Sequence, residues 1–114
     1  MSSAAIRRFV SKAVPPVGPY SSAVLANGTL YVSGCIGIDA SATLTSTTVE
    51  GQARQALENM RELLTMGGAT FDDVVKTTIL LRSMDDFAAV NAVYASFFTP
   101  GHVRLRRRQQ TTLL

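Results

Sequence analysis

The sequence predicts an α+β domain, on three observations. Val74 to Leu81 is a short, β-branched and apolar run that reads as a strand buried on most of its surface. The period then changes, and Phe87, Val90, Tyr94, Phe97 and Phe98 recur at steps of three and four, as on one face of a helix. Earlier, Asn27-Gly28 divides two apolar runs, a strong local hairpin signal because both turn positions need positive φ. The predicted order is strand, hairpin, helix, strand, helix, with both helices on one face of a mixed sheet.

Taken in order, Ile6-Arg7-Arg8-Phe9-Val10 reads as a strand, and Gly18-Pro19-Tyr20-Ser21 as a turn. The hairpin pairs Ala23–Ala26 with Thr29–Ser33. Gly34-Cys35-Ile36-Gly37-Ile38 then continues or bends the second strand, and its two glycines mark a bulge or a close approach to a ligand. Residues 39–46 form a polar loop. Thr47 and Glu50 fit a capping box opening a helix, whose inner face carries Val49, Ala53, Leu57, Met60 and Leu64. On its outer face Glu58 can pair with Arg54 or Arg61, and Gly67-Gly68 ends it. Ser83 or Asp85 caps the second helix, Asp85 and Asp86 suit its positive end, and Thr99-Pro100-Gly101 stops it. From Pro100 onward there is no strand alternation and no capped helix, so the last strands of the sheet are expected to be missing.

The 114 residues make one domain, read as residues 1–99 followed by a basic tail, residues 100–114. The first 99 residues carry seven basic and eight acidic side chains, a net −1, whereas the tail carries four arginines and no acid. A near-neutral domain argues against nucleic acid as a primary ligand. No apolar run is long enough to span a membrane. The single cysteine, Cys35, excludes an intrachain disulfide and fits a reducing, cytoplasmic setting. Three basic residues before Pro16, with no acid before Asp39, also resemble a mitochondrial presequence. One His and one Cys without spaced carboxylates build no metal site, and no phosphate-binding glycine loop is present.

Several motifs together resemble the RidA (YjgF, reactive intermediate deaminase) family over residues 6–99. They are Gly18-Pro19-Tyr20-Ser21, Ser33-Gly34 after a hairpin, Gln52 to Asn59 on a helix, Val74-Val75-Lys76-Thr77-Thr78, Asp86-Phe87, and Asn91-Ala92-Val93-Tyr94 to Phe97-Phe98. The resemblance implies a chorismate-mutase-like subunit and a homotrimer with clefts between subunits. It also implies cofactor-free hydrolysis of enamines and imines such as 2-aminoacrylate or 2-iminobutanoate to 2-keto acids and ammonia. Tyr20 would then line the cleft, Gly34 would present its backbone to substrate, and Asn91 would support the cleft.

The tail departs from the family pattern. The family places a carboxylate-binding Arg in a Pro-Ala-Arg-Ser segment and a Glu in its last strand. Here no acid follows Asp86, and Arg104 stands two positions past the expected Arg. The catalytic residue is therefore unassigned, and Arg104 is the stand-in for the carboxylate clamp. Back-translation of residues 100–112 one base later permits a Pro-Ala and later a Leu-Pro, so the tail reads as a truncated or frame-shifted version of the family's segment, with activity weakened or lost. Two other readings stand beside deamination: a non-catalytic trimer that binds small carboxylates or a protein, and an endoribonuclease or translation inhibitor.

Overall fold

The computed structural model describes residues 6–14, 20–98 and 105–110. The first strand, β1 (Ile6–Phe9), runs antiparallel to β2 (Ala23–Ala26), which runs antiparallel to β3 (Thr29–Val32). Asn27 and Gly28 join β2 to β3 with φ of 51° and 79°, the two left-handed positions that the Asn-Gly pair predicts. Cross-strand register sets Phe9, Ala23 and Val32 in one row and Arg8, Val24 and Tyr31 in the next. The first row packs on Leu63 of α1 (Val49–Met66), with Leu25, Leu30, Cys35 and Met66 around it. The second row lies on the other face, where Tyr31 is exposed.

Helix α1 starts one residue later than the predicted cap. Thr48, not Thr47, is extended and accepts a hydrogen bond from the Gly51 N–H, while Ser46 Oγ accepts from the Thr48 N–H and orients the cap. The helix ends in a Schellman motif: Ala69 N–H donates to Leu64 O and Gly68 N–H to Thr65 O, with Gly68 at φ 80°. Glu58 pairs with Arg61 at 3.5 Å, one of the two anticipated pairings. The buried residues of α1 are Asn59, Leu63 and Leu64, so of the anticipated inner stripe only Leu64 is fully covered. The helix is packed on both the sheet and α2 (Phe87–Ser96), which a single-stripe reading does not anticipate.

Thr70 caps a 3-10 turn, Phe71–Asp73, whose Asp73 carboxylate returns a bond to the Thr70 N–H. Strand β4 (Lys76–Leu81) follows. It is not buried on most of its surface: covered and exposed residues alternate along it, Leu81 is 6% exposed, and Leu80 is 59% exposed. One face, Thr77, Ile79 and Leu81, is covered, and the other, Lys76, Thr78 and Leu80, meets solvent in the single chain. Ser83 caps a short 3-10 turn, Met84–Asp86, that leads into α2. Val90, Val93 and Tyr94 are buried there, and the Tyr94 hydroxyl is hydrogen-bonded to Thr77 Oγ1 at 2.8 Å, tying α2 to β4. Phe71 meets Phe97 and Phe98 edge-on, and the Arg61 guanidinium lies over Phe71 and Phe97 at 5.5 and 5.1 Å.

The chain does return after α2. Strand β5 (Leu105–Gln110) runs parallel to β4, Lys76 opposite Leu105 through Leu81 opposite Gln110. Its residues carry no apolar alternation, because parallel pairing is made by backbone groups whatever the side chains. The strands form two sheets, β1–β2–β3 and β4–β5, so antiparallel and parallel pairings both occur. Among the described residues no helix is long and apolar enough to cross a membrane.

Candidate functional site

Ser22 is the junction from which two of the anticipated site residues depart. It is 6% exposed and meets three segments. Its N–H donates to Phe9 O at 2.9 Å, its Oγ accepts from the Ser11 N–H at 2.9 Å, and its carbonyl accepts from Ser33 N–H and Oγ at 3.0 and 2.8 Å. The N–H, hydroxyl oxygen and carbonyl of this buried serine thereby join the end of β1, the residue Ser11 that follows it and the residue Ser33 that follows β3. Tyr20 stands two residues before this junction and Gly34 one residue after Ser33, so both emerge at the open end of the β2–β3 hairpin.

The two residues are presented rather than packed. Tyr20 is 59% exposed. A Cβ built at Gly34 would meet nothing within 4 Å, and Gly34 is not in the left-handed region. The chain's own conformation does not require glycine there, so the open space lies where a ligand or another surface can approach the backbone. Gly37 is the opposite case: a Cβ there would fall 2.5 Å from Gln52 O, because the backbone runs directly against α1.

Two α1 side chains, missed in the sequence, hold these segments. Asn59, 7% exposed, donates through Nδ2 to Ile36 O at 2.9 Å and Ile38 O at 3.0 Å, and its Oδ1 accepts from Gln55 Nε2 at 2.9 Å. Glu62 accepts from Ser11 Oγ at 2.5 Å and from the N–H groups of Lys12 and Ala13 at 3.0 and 3.1 Å. Neither residue lies on the anticipated apolar stripe of Val49, Ala53, Leu57, Met60 and Leu64, and only the folded chain supplies their partners.

Asn91 is half-buried on α2, one turn before Tyr94, and belongs to a different element from the Tyr20–Gly34 end. Arg104 lies outside the described residues. The hollows around Arg61, Thr65 and Phe71 and around Leu44, Ser46 and Gln52 are lined by none of Tyr20, Gly34 and Asn91. Cys35, half-buried beside Gly34, donates to Ser33 O at 3.6 Å. Burial raises its thiol pKa above the ordinary value, which disfavours the thiolate a nucleophile would need. Among the described residues no three His, Cys, Asp or Glu side chains gather closely enough to hold a metal ion.

The pattern of the family described as Endoribonuclease L-PSP matches residues 10–111. The chain is 48% identical over 99 residues to the human 2-iminobutanoate/2-iminopropanoate deaminase, an alignment covering 84% of this chain and 72% of that protein. Among solved structures, RidA from an Antarctic Psychrobacter matches with a TM-score of 0.84 and 31% identity, over 94% of this chain and 86% of that one. The YjgF gene product of E. coli matches with a TM-score of 0.82 and 30% identity, over 95% and 87%.

Proposed function

This chain belongs to the Endoribonuclease L-PSP family, of RidA/YjgF fold, and on that premise we propose that it hydrolyses 2-imino and 2-enamino acids to 2-keto acids and ammonia. The observation that carries the reading is the open end of the hairpin, where Tyr20 and the unobstructed backbone of Gly34 leave the Ser22 junction together. It is joined by the 48% identity to a protein named for that reaction.

The proposed chemistry asks for placement more than for a strong catalyst. A 2-enamino acid first gains a proton at its β-carbon and loses one from nitrogen to become the imine. Water then adds to the imine carbon with one proton passing to nitrogen, and the carbinolamine expels ammonia as its hydroxyl proton moves to nitrogen and the C=O bond forms. Holding a planar substrate beside backbone and phenolic hydrogen-bonding groups lowers the entropic part of that barrier. Tyr20 lines the substrate, Gly34 offers its main chain, Asn91 supports the cleft, and Arg104 takes the carboxylate. No residue is assigned to the water. Neither a cofactor nor nucleic acid enters the proposal.

The assembly proposed is a homotrimer with the site between subunits. Its support is an exposed large apolar residue on each of the two sheets, Tyr31 on β3 and Leu80 on β4, 62% and 59% exposed in the single chain. Exposed apolar residues on a sheet face opposite its helices mark a surface built to be covered.

The test is 2-keto acid release from an enamine generated in situ by a threonine dehydratase, with oligomeric state recorded on the same sample. Release faster than the buffer rate is expected. A soluble trimer that gives only the buffer rate overturns deamination and favours a small-carboxylate-binding role.

A further inference from the structure

We propose that Asn59 is a positioning residue for this site, setting the course of the backbone at Gly34 and Cys35 from behind; the inference rests on the deaminase reading. Both donors of its amide go to carbonyls two residues apart, Ile36 and Ile38, and its one acceptor oxygen is taken by Gln55. A carboxylate could not replace it, since two donors are required at one point.

The clasped segment is already close to α1 by other means. Gly37 passes so near Gln52 that no side chain fits between them, the Thr45 N–H donates to Gly37 O, and Ile38 forms an antiparallel bridge with Leu44. On the other side Ser33 is fixed to Ser22 by two hydrogen bonds. Gly34 and Cys35 are thus a span of two residues between two anchors, and Asn59 provides the hydrogen-bonded part of the second anchor. A residue pair held at both ends keeps its peptide groups in one orientation, which is what a planar substrate reading main-chain groups requires.

A leucine of similar size at position 59 would leave the Ile36 and Ile38 carbonyls without their donors, so the amide contributes stability as well as position, and KM read beside local exchange separates the two. What the amide adds is a fixed register between a helix and a loop.

The test compares Asn59→Asp, which keeps the volume and turns an acceptor toward two carbonyls, with Asn59→Leu, which keeps the volume and removes the polar atoms. Both are assayed as the full chain for KM and kcat, and hydrogen exchange is followed residue by residue. A rise in KM of about tenfold with kcat changed less than about threefold is expected for both, because binding geometry is lost while the chemical step keeps its groups. Exchange should accelerate at residues 34–38 and not in β1 to β3. Unchanged KM in a folded variant overturns the proposal, as does faster exchange throughout the chain with KM and kcat falling together. If Asn59→Asp does not fold, Asn59→Leu decides alone by the same two readouts. A wild-type chain that forms a trimer without deaminating overturns the deaminase reading itself, and the positioning role with it.

Discussion

Ser11 and Glu62 stand 51 positions apart and are joined by a 2.5 Å hydrogen bond from the serine hydroxyl to the carboxylate. The same carboxylate accepts from two backbone N–H groups, and Ser11 Oγ accepts in turn from the Val14 N–H at 2.8 Å. One helix side chain thus closes the turn that follows β1, and through Ser11 and Ser22 it bears on the segment that carries Tyr20. Replacing Glu62 with Ala leaves a hydroxyl and two main-chain donors without their acceptor. The expected loss is about 1–3 kcal/mol, limited by the water that reaches this half-exposed turn. Urea unfolding should show a lower midpoint at unchanged slope, and Glu62→Gln, which keeps one oxygen acceptor, should lose less.

Gly34 and Gly37 are three residues apart and should respond oppositely to alanine. At Gly34 the added methyl has open space, so stability should stay within about 0.5 kcal/mol while deamination falls. At Gly37 the methyl meets the Gln52 backbone at 2.5 Å, and a loss of about 1–3 kcal/mol is expected. Thermal unfolding of the two variants beside keto acid release separates the cases. An equal stability loss at both positions would refute the open-space reading of Gly34.

Cys35 gives a pH dependence of stability with a definite sign. Burial raises its folded pKa above the unfolded value, so the folded chain holds the thiol proton more tightly than the unfolded chain does. That contribution is complete below the ordinary thiol pKa and is lost as pH rises through the raised one. Stability should therefore decline on the alkaline side more steeply for the wild type than for Cys35→Ala. Native-state labelling by a thiol reagent should also be slower than labelling in urea at the same pH.

The uncovered face of β4 predicts the response of the assembly. Leu80 points away from the helices and is 59% exposed, so Leu80→Lys leaves the interior of one subunit intact. If the proposed trimer buries this face, the variant should be monomeric in light scattering, with far-ultraviolet dichroism unchanged, because a charge buried without a partner costs several kcal/mol. A trimer unaffected by Leu80→Lys would place the interface elsewhere.

Much of the fold was legible locally. The Asn27-Gly28 hairpin, the Gly67-Gly68 stop and the Glu58–Arg61 pair each depend on atoms within a few positions of one another. The shift of the cap from Thr47 to Thr48 is of the same kind, since Ser46 decides between two adjacent threonines by orienting one. Of the anticipated α2 stripe, by contrast, Val90 and Tyr94 are buried, Val93 joins them, and Phe97 and Phe98 lie past the helix end at Ser96. The candidate site was legible in part. Tyr20 and Gly34 were found by motif, Asn59 was within a motif but without a role, and Ser22 and Glu62 were not singled out, because the partners of a polar side chain are not written in its spacing.

Composition, period and turn chemistry by themselves determined the α+β class, the order of elements up to α2 and the near-neutral charge of residues 1–99. Those properties follow from short-range sterics and from the spacing of apolar side chains, both written along the chain. Only the tertiary structure decided that β5 pairs in parallel with β4, that Leu80 is left in solvent, and that Asn59 and Glu62 hold two distant loops. Each of these depends on which remote backbone groups come to lie within 3 Å or so of one another, and burial then compels those groups to pair.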